Sequence, residues 1–72
     1  VTPLDQALLA AHNAKDNSAL VRLYRQAGKA ALAEDETRGC FYLTHAYIYA
    51  LEAGLAEAQE LHSTLKSFGR ES

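Results

Sequence analysis

At 72 residues, with a formal charge of −2 and a single cysteine, the chain makes one small domain without an internal disulfide framework and without the basic excess that nucleic acid requires. Apolar residues are 49% and charged residues 22%, a globular balance rather than a disordered one. The longest uncharged stretch, 39–51, contains Thr44 and His45 and is too short to cross a bilayer, and the lone Cys40 suits a reducing compartment, so a cytoplasmic location is expected.

Alanine and leucine dominate, and the predicted elements are all helical. In the first, Thr2-Pro3-Leu4-Asp5 places a hydroxyl at the N-cap, proline at the first helical position and a carboxylate in the first turn. Leu4, Ala7, Leu8, Ala11 and Ala14 then share one face. Residues 13–17 are the expected turn, because their polar side chains compete with helix for the backbone.

The second helix is capped by Asp16, Asn17 or Ser18. Leu20, Leu23, Tyr24, Ala27 and Ala31 form its apolar stripe, with Arg22, Arg25, Gln26 and Lys29 opposite. Gly28 falls inside the pattern and marks either a close helix–helix approach or an early end. The acidic run Glu34-Asp35-Glu36 reads as a turn plus the start of the next helix, whose positive end carboxylates favour.

The third helix is expected over about 36–53. Cys40, Leu43, Tyr47, Ala50 and Leu51 fill one face, and Phe41, Tyr42, Ala46, Ile48 and Tyr49 fill much of the rest. Arg38, Thr44, His45 and Glu52 interrupt it, three of them at intervals of seven. A helix apolar on nearly all sides is expected to be enclosed by neighbours. The aromatic-rich segment 41–49 could form a strand, but the helical period continues past Ala50 and no partner strand is evident. Gly54 ends this helix. A fourth follows with Leu55, Ala58, Leu61, Leu65 and Phe68 inward, and Gly69 as its stop.

With an offset of about 38 residues, Leu20 meets Ala58, Leu23 meets Leu61, Tyr24 meets His62 and Ala27 meets Leu65, the self-similarity of a helical repeat. The second hairpin also resembles a tetratricopeptide repeat (TPR). That family favours a small residue midway along its first helix, an aromatic three positions later, a small residue near the turn and an alanine early in its second helix. Ala46, Tyr49, Ala53 and Ala58 hold those places, with Tyr42 and His62 at the two large positions. Ala46 replaces the common glycine, the closing proline is missing, and Lys15 occupies the small turn position of the first hairpin. The resemblance implies four antiparallel helices as two stacked TPR-like hairpins, about 3–34 and about 36–69, offering a surface to another protein. With only two such units, dimerisation or a neighbouring chain is expected to supply further burial.

Residues that could carry chemistry form no catalytic or metal-binding set. His12, His45 and His62 lack ligand spacing, and Cys40 reads as a small buried hydrophobe, with His45 off its face. No cofactor is implied. The expected function is therefore non-enzymatic: binding of a protein or peptide, or of a second copy, through the third helix and the adjoining side of the first. Tyr42, His45, Tyr49 and Glu52 are the candidate contacts, because polar and aromatic groups there interrupt an apolar helix. Arg22 and Arg25 come second, as a basic stripe that could attract an acidic peptide. It lies on a second helix of a hairpin, whereas the TPR family's carboxylate-binding residues lie on first helices. The alternative is a small helical dimer holding an apolar small molecule between its helices.

Overall fold

A computed structural model describes residues 3–70. It contains four helices, α1 (Pro3–Ala14), α2 (Asn17–Leu32), α3 (Glu36–Ala53) and α4 (Glu57–Ser67), and no strand among the described residues. The fold is all-α, and the aromatic-rich segment 41–49 is helical.

The caps explain the boundaries. The Asp16 carboxylate accepts the Ala19 N–H at 3.1 Å and caps α2, and the Asp35 carboxylate accepts the Arg38 N–H at 3.2 Å and caps α3. The expected cap at Thr2 lies outside the described residues. Helices α1 and α3 end alike. Lys15 (φ 55°) and Gly54 (φ 67°) take left-handed conformations, and the following N–H groups, of Asp16 and Leu55, close onto the Ala11 and Ala50 carbonyls at 3.0 and 2.9 Å. The first turn is thus tighter than expected, since Asn13 and Ala14 stay in α1 and Asn17 begins α2. Helix α4 starts at Glu57 rather than Leu55, without a side-chain cap at Ala56, and Gly69 (φ 74°) follows its end.

Each helix packs antiparallel on the next in the chain, and α2 and α3 share the largest interface. There the two glycines face each other's helix. A Cβ on Gly28 would lie 2.7 Å from Leu43 Cγ and 3.0 Å from the Gly39 carbonyl oxygen. One on Gly39 would lie 2.6 Å from Leu32 Cδ2 and 2.9 Å from the Leu32 nitrogen. Gly28 is therefore a point of close approach and not a helix end. The core forms around this contact from Val21 of α2, Cys40, Leu43, Ala46 and Ala50 of α3, and Ala58, Leu61 and Leu65 of α4. Helix α1 is attached more lightly, with Ala11 as its buried residue.

The resulting body measures 31 × 29 × 12 Å over its Cα atoms, too thin to enclose any helix fully. The expectation that α3 is covered on all sides therefore fails. Phe41 is 58% exposed, Ile48 47% and Leu51 55%. Helix α2 takes the inner side of α3, and side chains of α1 and α4 flank it. No described residue lies over the side opposite. Phe68 is also exposed, because α4 stops at Ser67 before that ring can turn inward.

Alanine at Gly39 is expected to destabilise the domain by about 1–3 kcal/mol, although at an open helical site the same change would stabilise it by about 1 kcal/mol. The reason is that the Leu32 backbone nitrogen stands in the way at 2.9 Å together with the Leu32 side chain, and the backbone cannot swing aside as a side-chain end can. Urea denaturation followed by circular dichroism checks the sign.

Candidate functional site

Tyr24 is the hub of an aromatic cluster between α1 and α3. Its position on the α2 stripe points it away from the α4 side, into the space where α1 and α3 diverge. Its ring stacks on Tyr49 at 5.9 Å and 12°, and lies 5.2 Å from His45 and 6.2 Å from Tyr42. His12 of α1 meets both Tyr24 and Tyr49 edge-on, at 6.1 and 5.7 Å, and its Nε2 lies 3.2 Å from the Tyr24 hydroxyl. Such ring pairs stabilise by about 0.5–1.5 kcal/mol each beyond the area they bury. Rings rather than close backbone contact thus tie α1 to α3.

His45 is fixed from two directions. Its Nδ1 lies 2.9 Å from the Phe41 carbonyl oxygen, and its ring lies 4.5 Å from the Phe41 ring. A carbonyl only accepts, so Nδ1 carries the proton and donates. In the neutral imidazole, Nε2 is then the acceptor.

Along the same space runs an open groove of about 420 Å³. Ala27 and Ala31 of α2 form its floor, Leu4 and Asp5 of α1 one wall, and Arg38 and Tyr42 of α3 the other. Arg38 is paired at 3.4 Å with Glu34, which also lines the groove. On the other flank of α3, Tyr47 lies 5.6 Å from His62 beside a smaller cleft of about 160 Å³. Tyr24 of α2 and His62 of α4, 38 positions apart, each lay a ring against α3.

The sequence-derived candidates separate into three places. Tyr42, His45 and Tyr49 come together around Tyr24. Glu52 stands exposed near the C-terminal end of α3, with no hydrogen bond or ion pair among the described residues. Arg22 and Arg25 lie elsewhere on α2, Arg22 exposed and Arg25 on the side that turns to α4. Arg25 forms an ion pair with Glu60, which Lys29 also approaches at 3.7 Å, so Arg25 ties two helices of this chain together. Sequence reasoning took Tyr24 for a core residue of α2 and left His12 unassigned. The place of both depends on how far α1 and α3 diverge, which no local pattern records.

Cys40 is buried in the core. Among the described residues no group of His, Cys, Asp or Glu side chains is placed to hold a metal ion, and no helix is long and apolar enough to cross a membrane. The site is thus an aromatic and apolar surface on a small helical array. Compared with protein-family models, curated proteins and solved structures, the chain finds no match.

Burial raises the Tyr24 phenol above its ordinary value of 10.0, with smaller contributions from the negative charge that Tyr49 and Tyr42 acquire on ionising. Near neutrality Tyr24 is therefore a neutral phenol. Because the folded form holds this proton more tightly than the unfolded chain, the associated stability is fully present below about pH 10 and is lost as pH rises through the folded value. Urea denaturation at pH 9 and pH 11 is expected to show this fall, and Tyr24→Phe is expected to lessen it. At pH 7 the same substitution is expected to cost about 0.5–1.5 kcal/mol through loss of the hydrogen bond with His12.

Proposed function

We propose that this chain is a non-enzymatic, TPR-like interaction module that engages a protein or peptide through the outer face of α3. The supporting observation is the exposure of Phe41, Ile48 and Leu51 on one side of a single helix. Isolated exposed apolar side chains are ordinary, but three within four turns make a continuous strip. His45 lies within that strip, Glu52 closes its C-terminal end, and the rings of Tyr42 and Tyr49 flank it. The inner residues Leu43, Ala46 and Ala50 are fully buried, so the strip rides on a rigid support. A rigid support lowers the ordering cost of binding.

Enclosure of an apolar small molecule between helices draws less support. The larger groove has charged groups on its rim, Asp5, Glu34 and Arg38, and is open to solvent.

Peptides selected from a random display library against sparsely immobilised wild-type protein are expected to bind at least ten-fold more weakly to the double variant Phe41→Ser/Ile48→Ser. Circular dichroism spectra of the two proteins should coincide. Ten-fold corresponds to about 1.4 kcal/mol, less than full burial of one large apolar side chain contributes. Peptides that bind both proteins equally contradict the assignment of this face.

A further inference from the structure

The outer face of α3 carries a pattern that names its own occupant. Arg38, Phe41, His45, Ile48 and Glu52 follow one another at spacings of three and four, the straight seam of paired helices. The pattern has a centre. A cation stands one heptad before His45 and an anion one heptad after it, with one large apolar side chain between the centre and each end.

We propose that a second copy of this chain docks on that face. The two α3 helices run antiparallel about a twofold axis near His45, Arg38 of each copy meeting Glu52 of the other and Phe41 of each copy covering Ile48 of the other. This rests on the reading of α3 as a docking face and names what it binds.

The register follows from helix geometry. Antiparallel pairing centred on position 45 sets position 38 against position 52. It sets position 41 within one residue of position 48, an offset of about 1.5 Å along the axis. Parallel pairing would instead set Arg38 against Arg38 and Glu52 against Glu52. A twofold contact must be self-complementary, and the antiparallel arrangement satisfies that with two opposite-charge contacts.

The charged ends are available. The Arg38 side chain stands at the edge where this face meets the groove and is 54% exposed, and its pair with Glu34 is a surface contact of small net worth. A guanidinium has five donors, so Arg38 can hold Glu34 and a second carboxylate together. Glu52 has no ion-pair partner among the described residues. The seam from 38 to 52 is about 21 Å long on a rod about 10–12 Å wide, so each copy buries a few hundred Å², less than the roughly 800 Å² per partner of a standard interface. The pairing is accordingly a reversible one, with a dissociation constant on the order of tens to hundreds of micromolar.

Charge reversal gives the test. Arg38→Glu leaves two acidic positions on the seam and Glu52→Arg leaves two basic ones, so each variant repels its own copy. An equimolar mixture regains both opposite-charge contacts in the heterodimer. A carboxylate near the start of a helix and a cation near its end both suit the helix dipole, which offsets the small cost in Arg38→Glu of losing the exposed Arg38–Glu34 pair and of the like-charge contact that replaces it. Sedimentation velocity from about 10 to 500 μM, a range set around the expected affinity, is expected to show wild-type self-association. Dissociation constants of the single variants should rise at least ten-fold, and the mixture should return to wild-type strength. A mixture no tighter than its components overturns the proposal. So does a wild type that stays monomeric throughout, and if that monomer still binds selected peptides through Phe41 and Ile48, the docking face itself stands. Self-association unaffected by either reversal and by Phe41→Ser counts against the face as well as the dimer.

Discussion

The contact on which the rest depends is the one between two backbones, at Gly28 of α2 and Gly39 of α3. Each glycine costs its helix about 1 kcal/mol relative to alanine. What offsets that cost is proximity. With no Cβ at either place, Leu43 packs directly onto the Gly28 backbone and Leu32 onto the Gly39 backbone. Dispersion and apolar burial act at short range, so this approach lets a core of mostly small residues hold three helices together.

From that contact the remaining geometry follows. Drawing α3 onto α2 buries Leu43, Ala46 and Ala50 and seats Tyr24 beneath the rings of Tyr42, His45 and Tyr49. Helix α1 joins through His12 and Ala11, leaving a groove where α1 and α3 diverge. Helix α4 closes the other flank with Leu61, Leu65 and the Arg25–Glu60 ion pair. Four helices in a body this thin cannot surround a fifth side. The outer face of α3 is left uncovered by the described residues, with Phe41, Ile48 and Leu51 exposed on it, and that exposure connects the fold to the proposed interaction.

Much of the fold is legible in the residues. Asp35 and Gly54 mark the ends of α3 through chemistry local to the chain, a carboxylate accepting a backbone N–H and a left-handed residue that glycine adopts without strain. Gly28 signals an anomaly, though only its neighbour across the interface decides between close approach and helix end. The exposure of Phe41, Ile48 and Leu51 is not legible, because periodicity reports which residues share a face and not how many neighbours the helix has. The same limit applies to Arg25. Its place on a basic stripe is visible in sequence, whereas its pairing with Glu60 requires knowing that α4 returns beside α2. Of the candidate site, Tyr42, His45 and Tyr49 could be named from their interruption of an apolar helix. Tyr24 and His12 could not, since their role exists only once α1 and α3 flank α2.

The most direct measurement of the central claim is a set of proton–proton nuclear Overhauser effects in solution. The account predicts strong cross-peaks from the Gly28 α-protons to the Leu43 methyl groups and from the Gly39 α-protons to the Leu32 methyl groups. In dilute protein, the Phe41 ring and the Ile48 methyl groups should show none to α1, α2 or α4. Absence of the two glycine contacts, or cross-peaks from Phe41 and Ile48 into another helix of the same chain, would contradict it.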